Sequence, residues 1–175
     1  MKILSAKLRA ADEFRAKGDV RNYLNGIRIN KDFIEATNGH VAIRMNSGVR
    51  TRADVIVRFK GKIPSSAYTT KLEFSKGKNT AYHYDTTGEL VGVQIFYLED
   101  GKYPDFKNII PDDFNLGDFP DVQAKYLALI DKAFKKERFV QVQRLHSEST
   151  KVVFGIKDES GSLGNPLIII MGCKK

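Results

Sequence analysis

The chain has 175 residues and a formal net charge of +8. This length suits one domain or one and a half, and a domain of roughly 150 residues buries about 70% of its unfolded surface, so its core needs no cross-links. The single cysteine, Cys173, excludes an intrachain disulfide and fits a reducing compartment. We expect a cytoplasmic protein that does not enter a membrane, because no apolar run reaches roughly 18 residues and no signal-peptide pattern is present.

The first third of the chain predicts one helix followed by strands. Apolar residues at helical spacing predict a helix from Leu4 to Lys17, which ends before Gly18. The dipeptide Asn38-Gly39 is a strong turn signal and predicts a hairpin between two strands. Strands are predicted over residues 23–30, 33–37 and 41–45.

The middle of the chain predicts strands only, because no window there has a helical period. A connector follows that is punctuated by Gly101, Pro104 and Pro111, and a second helix is predicted from Asp121 to Lys136. Three strands then close the chain, so each end has one helix followed by three strands. The predicted strands are 54–59, 68–74, 80–84, 90–98, 139–146, 151–156 and 167–171.

Four separated blocks of sequence carry the most specific signal. They are residues 19–26 (D-V-R-N-Y-L-N-G), 36–42 (A-T-N-G-H-V-A), 101–111 (G-K-Y-P-D-F-K-N-I-I-P) and 168–175 (I-I-I-M-G-C-K-K). In this order they resemble the D-V-R-Y-Y-L-N-G, A-T-D-G-H-R-L-A and G-R-F-P-D-Y-R-R-V-L-P segments and the Y-V-V-M-P-M-R-L terminus of bacterial sliding clamps, the beta subunit of DNA polymerase III. Because all four blocks keep the family's order, chance matching of short motifs is a poor explanation.

The resemblance implies an α+β, sliding-clamp-like fold with antiparallel sheets and two helices on one side. We place a first clamp-like domain at residues 1–111, with the first helix and the helix-less middle strands. A second half unit, at residues 112–175, carries the second helix. The chain is about half the size of a three-domain clamp subunit, and this short, basic, rearranged form suggests a phage or mobile-element origin.

In the clamp family, a pocket grips linear peptides from DNA polymerases and other clamp-binding proteins. An apolar cleft with a few polar groups at its rim suits a peptide with leucine and phenylalanine anchors. Judged without the resemblance, Leu24, Ile109, Ile169 and Met171 fit plain core positions better than a binding site. The peptide-binding positions carried over by motif are Leu24, Thr37, Gly39, His40, Pro104, Ile109, Ile169, Met171, Cys173 and Lys174.

Several positions depart from the family's pattern. Asn38 replaces an aspartate, Val41 an arginine and Gly172 a proline. Lys174 replaces an arginine, and lysine does not supply a planar bidentate fork. The basic net charge is a further departure, because bacterial clamps tend to be acidic. Partner specificity is therefore open even if the pocket is kept.

The second helix predicts non-specific contact with double-stranded DNA. Its lysines fall on one arc and its apolar residues on another, and lysines that neutralise phosphates give salt-dependent binding. The first helix is a weaker candidate because Asp12 and Glu13 interrupt its basic residues. A solvated lysine-rich face fits the same pattern. The DNA-binding positions are Lys125, Lys132, Lys135, Lys136 and Arg9.

The sequence offers no active-site pattern, so we expect a binding protein and not an enzyme. Nucleophile-elbow, Walker and zinc-protease motifs are missing, and His40, His83 and His146 lack metal-ligand spacing, so no cofactor or metal is expected. Three interpretations stay open. The chain is a homo-oligomeric processivity factor, a ringless clamp mimic that competes for the partners of a host clamp, or a general non-specific DNA-binding protein.

Overall fold

The computed structural model describes residues 1–135, 140–157 and 160–173. These residues form eleven strands and two α-helices, with short 3₁₀ turns at Asn22–Asn25 and Phe106–Asn108. The helices are α1 (Ser5–Phe14) and α2 (Ala124–Phe134). The strands are β1 (Lys2–Leu4), β2 (Ile27–Ile29), β3 (Phe33–Thr37), β4 (Val41–Asn46), β5 (Val55–Phe59), β6 (Thr69–Glu73), β7 (Thr80–Tyr84), β8 (Leu90–Leu98), β9 (Gln141–Glu148), β10 (Lys151–Lys157) and β11 (Leu167–Met171).

All eleven strands join one antiparallel sheet in the order β1-β6-β7-β8-β5-β2-β3-β4-β11-β10-β9. Strand β8 joins the β1-β6-β7 portion of this sheet to the rest. Its residues up to Ile95 pair with β7, and its residues from Phe96 onward pair with β5. The N-terminal and C-terminal strands meet where β4 pairs with β11, with Ala42 opposite Ile169. We call this junction the seam. The predicted division at residue 111 stays a prediction, and the seam joins strands from both sides of it.

Both helices cover one face of this sheet. Alternate residues of β10 show that the two faces of the sheet are covered differently. Val152 and Phe154 belong to the large core under the helices, whereas Val153 belongs to a smaller cluster on the other face. Helix α2 buries Tyr126, Ile130 and Phe134 against the core, which is the apolar stripe that the sequence predicts. The predicted α+β architecture, antiparallel with two helices on one side, is confirmed.

The smaller cluster on the opposite, outer face lies under the connector that follows β8. Its buried members include Tyr103 and Phe106 from the connector, packed against residues of β4, β10 and β11. An antiparallel sheet commonly leaves its second face to water. Here the connector covers part of that face, so a second, smaller group of apolar side chains is buried there.

Several predicted elements differ from the structure at their ends, and helix α2 begins at Ala124, three residues later than predicted. Helix α1 ends at Phe14 instead of Lys17, because Arg15 is extended and the Asn25 side chain accepts hydrogen bonds from the N–H groups of Gly18 (2.8 Å) and Asp19 (2.9 Å). That side chain offers the backbone an alternative to a further helical turn. For the same reason the predicted strand over 23–30 begins as a 3₁₀ turn and only its end is β2.

Within the residues described, neither α1 nor α2 has the length and apolar character of a membrane-crossing helix.

A buried chain of polar side chains ties the first helix to the far part of the sheet. Ser5 and Thr70 share a hydroxyl hydrogen bond of 2.7 Å, and Thr70 Oγ1 lies 2.9 Å from Nδ1 of His83. The Gln94 amide nitrogen lies 2.8 Å from Nε2 of His83, which therefore accepts, so Nδ1 carries the proton and donates to Thr70. This arrangement fits only the neutral imidazole. Burial lowers the pKa of His83, and the charge of Arg9 lowers it further.

We expect His83 to make the protein less stable in acid. Because its pKa is lower in the folded state, the unfolded chain binds more protons, so stability present above about pH 6.5 is lost as the pH falls towards the folded pKa. Urea denaturation at pH 7.5 and 5.5 measures this loss, and His83→Gln should reduce it. His40→Gln, at an exposed histidine, should keep the wild-type loss. An equal loss in wild type and His83→Gln would contradict this account.

Candidate functional site

A cavity of about 260 Å³ opens over the seam between β4 and β11, and we call it the seam cavity. Four segments contribute to its lining: the first 3₁₀ turn, the β3–β4 turn, the connector and β11. The lining residues are Arg21, Tyr23, Leu24, Thr37, Gly39, His40, Val41, Ala42, Pro104, Phe106, Ile109, Ile169 and Met171.

The lining of the seam cavity is largely apolar. Ala42 and Ile169 are cross-strand partners on β4 and β11, and each is at most 2% exposed. Leu24 and Phe106 are equally buried and close the cavity from the 3₁₀ turn and the connector. Binding of an apolar ligand side chain in such a cavity is favourable, because it removes apolar surface from water.

The β3–β4 turn forms a polar rim that side-chain hydrogen bonds hold in place. Thr37 Oγ1 donates to the carbonyl of Val41 (2.8 Å) and accepts from the N–H of Gly39 (3.0 Å). Asn38 Oδ1 accepts from the N–H groups of His40 (2.9 Å) and Val41 (3.1 Å), so asparagine supplies the oxygen that we expected from an aspartate. Gly39 takes a φ of 90°, in the region that favours glycine.

Two contacts tie this rim to the C-terminal half of the chain. The N–H of Met171 donates to the carbonyl of His40 at 2.9 Å, which extends the β4–β11 pairing by one residue. The imidazole of His40 also stacks on the ring of Tyr126 in α2, with centroids 5.8 Å apart and an interplanar angle of 18°. The helix layer therefore fixes one side of the seam cavity.

A buried ionic cluster holds the connector on the other side. The Glu35 carboxylate, only 2% exposed, accepts from Arg44 (2.6 Å) and from Arg28 (3.2 Å). The guanidinium of Arg44 also lies 4.4 Å from the ring centroid of Phe33 and 5.4 Å from that of Phe106. Cation–π contacts of this kind stabilise both partners. Because Phe106 lines the seam cavity, the Glu35–Arg44 pair helps to fix the cavity's shape.

The start of the connector packs against the first 3₁₀ turn. Gly101 has a φ of 136°, and a Cβ built there would lie 2.6 Å from Cδ1 of Tyr23. Only glycine allows this approach without displacing Tyr23, which lines the cavity. Tyr103 is buried further along, and burial raises the pKa of its hydroxyl, with the Glu35 charge adding to the effect.

Eight of the ten predicted peptide-binding positions line the seam cavity. Of the other two, Cys173 lines an adjoining groove of about 770 Å³ that shares Met171 with the seam cavity, and Lys174 lies outside the described residues. Sequence analysis missed five lining residues, although all five lie inside the quoted blocks. The missed residues are Arg21, Tyr23, Val41, Ala42 and Phe106.

The four predicted DNA-binding residues that the structure describes lie in or next to the two helices, and two of them form an ion pair or hydrogen bonds within the chain. Lys132 pairs with Glu13 of α1 at 2.7 Å. Arg9 Nη1 donates to the carbonyls of Pro64 (3.2 Å) and Ala67 (2.8 Å).

The remaining predicted DNA-binding lysines differ in their surroundings. Lys125 places Nζ 4.9 Å from the ring centroid of Tyr126, and Lys135 is exposed at the end of α2. Lys136 lies outside the described residues. Among the residues described, no group of three or more His, Cys, Asp or Glu side chains converges as a metal site would require.

Bacterial sliding clamps resemble this structure along the whole chain. The DNA polymerase sliding clamp from Pseudomonas aeruginosa matches with a TM-score of 0.62 and 16% identity, over 100% of this chain and 66% of that one. The DNA polymerase III subunit beta from Borrelia burgdorferi gives 0.63 and 17%, over 99% of this chain and 64% of that one. The Caulobacter crescentus protein gives 0.61 and 15%, over 100% and 65%.

This chain has the sliding-clamp fold. It spans about two thirds of the length of the clamps that it matches. At these identities the likeness establishes the fold alone. No protein-family model matches the sequence, and no curated protein matches it.

We expect Glu35→Gln to destabilise the protein by about 2 kcal/mol, because it leaves Arg28 and Arg44 without a buried carboxylate. Urea denaturation measures the loss. The control is Glu73→Gln, since Glu73 pairs with Lys71 at 2.6 Å on the surface, where ion pairs contribute little. Equal losses from the two variants would show that the Glu35 cluster has no special role.

Proposed function

We propose that this chain is a clamp-like accessory protein of DNA replication that binds linear peptide motifs of DNA polymerases or repair proteins in the seam cavity. The observation that carries the proposal is the convergence of eight motif-derived positions on one apolar cavity. They come from segments far apart in the sequence, and a set of unrelated core residues would not be expected to border one opening.

The chemistry of the cavity favours a peptide with apolar anchors. Ala42, Ile169 and Phe106 offer an apolar floor for a leucine or phenylalanine side chain. Met171 adds a flexible thioether that adapts to different anchors. Arg21, whose guanidinium pairs with Asp19 at 2.9 Å, and His40 lie at the rim and offer polar groups to the peptide backbone.

DNA contact and self-association complete the processivity-factor proposal. Lys125 and Lys135 on the helix face would meet phosphates of double-stranded DNA without reading bases. The protein would then act as a homo-oligomer that holds its partner near DNA.

A second candidate function is a ringless clamp mimic that binds the same peptides and withholds them from a host clamp. One observation favours it: Lys132 is neutralised by Glu13, and the Arg9 guanidinium already donates to two backbone carbonyls, so fewer basic groups are left to contact phosphates. A general DNA-binding role without peptide affinity is the third interpretation.

We expect a fluorescently labelled peptide with leucine and phenylalanine anchors to bind with a Kd of about micromolar order in an anisotropy titration. Met171→Glu should weaken binding at least about tenfold, because it brings a charge into an apolar cleft. Leu90→Glu, at a 53% exposed leucine outside the cavity, should bind as wild type. No wild-type binding, or equal loss in both variants, would refute the peptide site.

DNA binding separates the candidates. If Lys125 and Lys135 meet phosphates, the Lys125→Glu, Lys135→Glu double variant should lower affinity for duplex DNA and reduce the slope of log K against log salt by about 1.8. Lys60→Glu, Lys78→Glu is the control, since both lysines are exposed in strand-connecting turns outside the helices. Wild-type protein that binds peptide but shows no salt-dependent affinity for DNA would favour the clamp mimic instead.

A further inference from the structure

The groove of about 770 Å³ beside the seam cavity shares Met171 with it, and we call it the adjoining groove. Three segments line it: residues 118–121 before α2, residues 149–150 in the β9–β10 turn, and residues 171–173 at the end of β11. The seam cavity, at about 260 Å³, holds only a few side chains, so the rest of a bound peptide has to follow the surface next to it. The adjoining groove offers such a continuous path.

Backbone contacts hold the three segments of the adjoining groove together. The N–H of Cys173 donates to the carbonyl of Asp121 at 2.7 Å, and the N–H of Gly172 donates to the carbonyl of Thr150 at 2.8 Å. A Cβ built on Gly172 would lie only 3.0 Å from Cβ of Pro120. Because glycine has no side chain, the segment before α2 can pack this closely against the end of β11. The replacement of the family's proline by Gly172 therefore brings the segment before α2 up to the groove.

The charged side chains that line the adjoining groove are both acidic. Asp118 and Asp121 are exposed, and neither forms an ion pair with another described residue. Phe119 lies between them in sequence and is 47% exposed. The guanidinium of Arg144 lies 5.8 Å from the ring centroid of Phe119 and pairs with neither carboxylate. Among the residues described, no lysine or arginine lines this groove, although the whole chain carries a net charge of +8.

We propose that the adjoining groove selects peptides that carry a lysine or arginine next to their apolar anchors, and that this cation pairs with Asp118 and Asp121. The inference rests on the proposed function, because it concerns the flank of the peptide whose anchors fill the seam cavity. A lysine or arginine packs its methylene stem on the Phe119 ring and donates to both carboxylates. An acidic residue at the same place is repelled, so the two carboxylates discriminate between peptides.

The charges elsewhere around the cavity do not produce the same preference. Arg21, on the lining of the seam cavity, is already paired with Asp19 at 2.9 Å. The net charge of +8 repels a basic peptide at long range. Tighter binding of a basic peptide would therefore come from local carboxylates and not from the overall field of the protein.

Anisotropy titrations with three labelled peptides test the proposal. All three share the same leucine and phenylalanine anchors, and they carry neutral flanks, two lysines before the anchors, or two lysines after them. At low ionic strength, one of the two lysine peptides should bind about fivefold more tightly than the neutral peptide. Added salt should reduce this advantage, because it screens exposed charges. The double variant Asp118→Asn, Asp121→Asn should lose the advantage and keep wild-type affinity for the neutral peptide, which also verifies its fold.

The double variant Asp112→Asn, Asp113→Asn is the matched control. Both residues are exposed acids of the connector outside the two linings, and their replacement changes the net charge by the same amount. This control should keep the full advantage of the lysine peptide. Equal loss in both double variants, or lysine peptides that bind no more tightly than the neutral one, would overturn the inference and leave the seam cavity intact. Failure of all three peptides to bind would refute the proposed function and this inference with it.

Charge reversal gives a second test with the opposite sign. The variant Asp118→Lys, Asp121→Lys should bind a peptide with two glutamates at the selected flank more tightly than the lysine peptide, whereas wild type should show the reverse order. A gain of binding does not arise from a damaged fold. A reversed variant that still prefers the lysine peptide would overturn the roles of Asp118 and Asp121.

Discussion

Glu35 is almost wholly buried, and two guanidinium groups, from Arg28 and Arg44, balance its charge. A buried carboxylate requires such partners, because burial without them costs several kcal/mol. Arg44 in turn lies against Phe106, and the backbone carbonyl of Glu35 faces the hydroxyl of Tyr103. The connector is therefore held on the outer face of the sheet by a charge cluster beneath it. Without that cover, the seam between the two halves of the chain would be a flat, solvated strand pair.

The two faces of the sheet carry different chemistry as a result. Under the helices lies the large core, and the outward side of α2 carries exposed lysines, among them Lys125. Under the connector lies the smaller cluster with an opening at its edge, suited to apolar anchors. The ring of His40, which lines the seam cavity, stacks on Tyr126 of α2 and so connects the cavity to the helix layer. A partner bound at the seam cavity would thus contact both halves of the chain at once.

The sequence predicts the helices and most strands because their apolar periods are regular, as in β3, β4 and α2. It does not predict the 3₁₀ turn at Asn22–Asn25, because the Asn25 side chain redirects the backbone through contacts that no local pattern encodes. Motif matching locates most of the seam cavity. It misses Phe106, whose place is set by Arg44, a residue distant in sequence. It also misses the partners of Arg9 and Lys132, which depend on packing between α1, α2 and the β5–β6 loop.

The most direct test of the central claim is the amide ¹H–¹⁵N spectrum of the protein titrated with a peptide that carries leucine and phenylalanine anchors. The account predicts shifts concentrated in three segments: residues 37–42, 104–109 and 169–171. These segments border one opening but are far apart in sequence, so their joint response would identify the seam cavity as the binding site. Shifts confined to α1 and α2, or no shifts at saturating peptide, would contradict it.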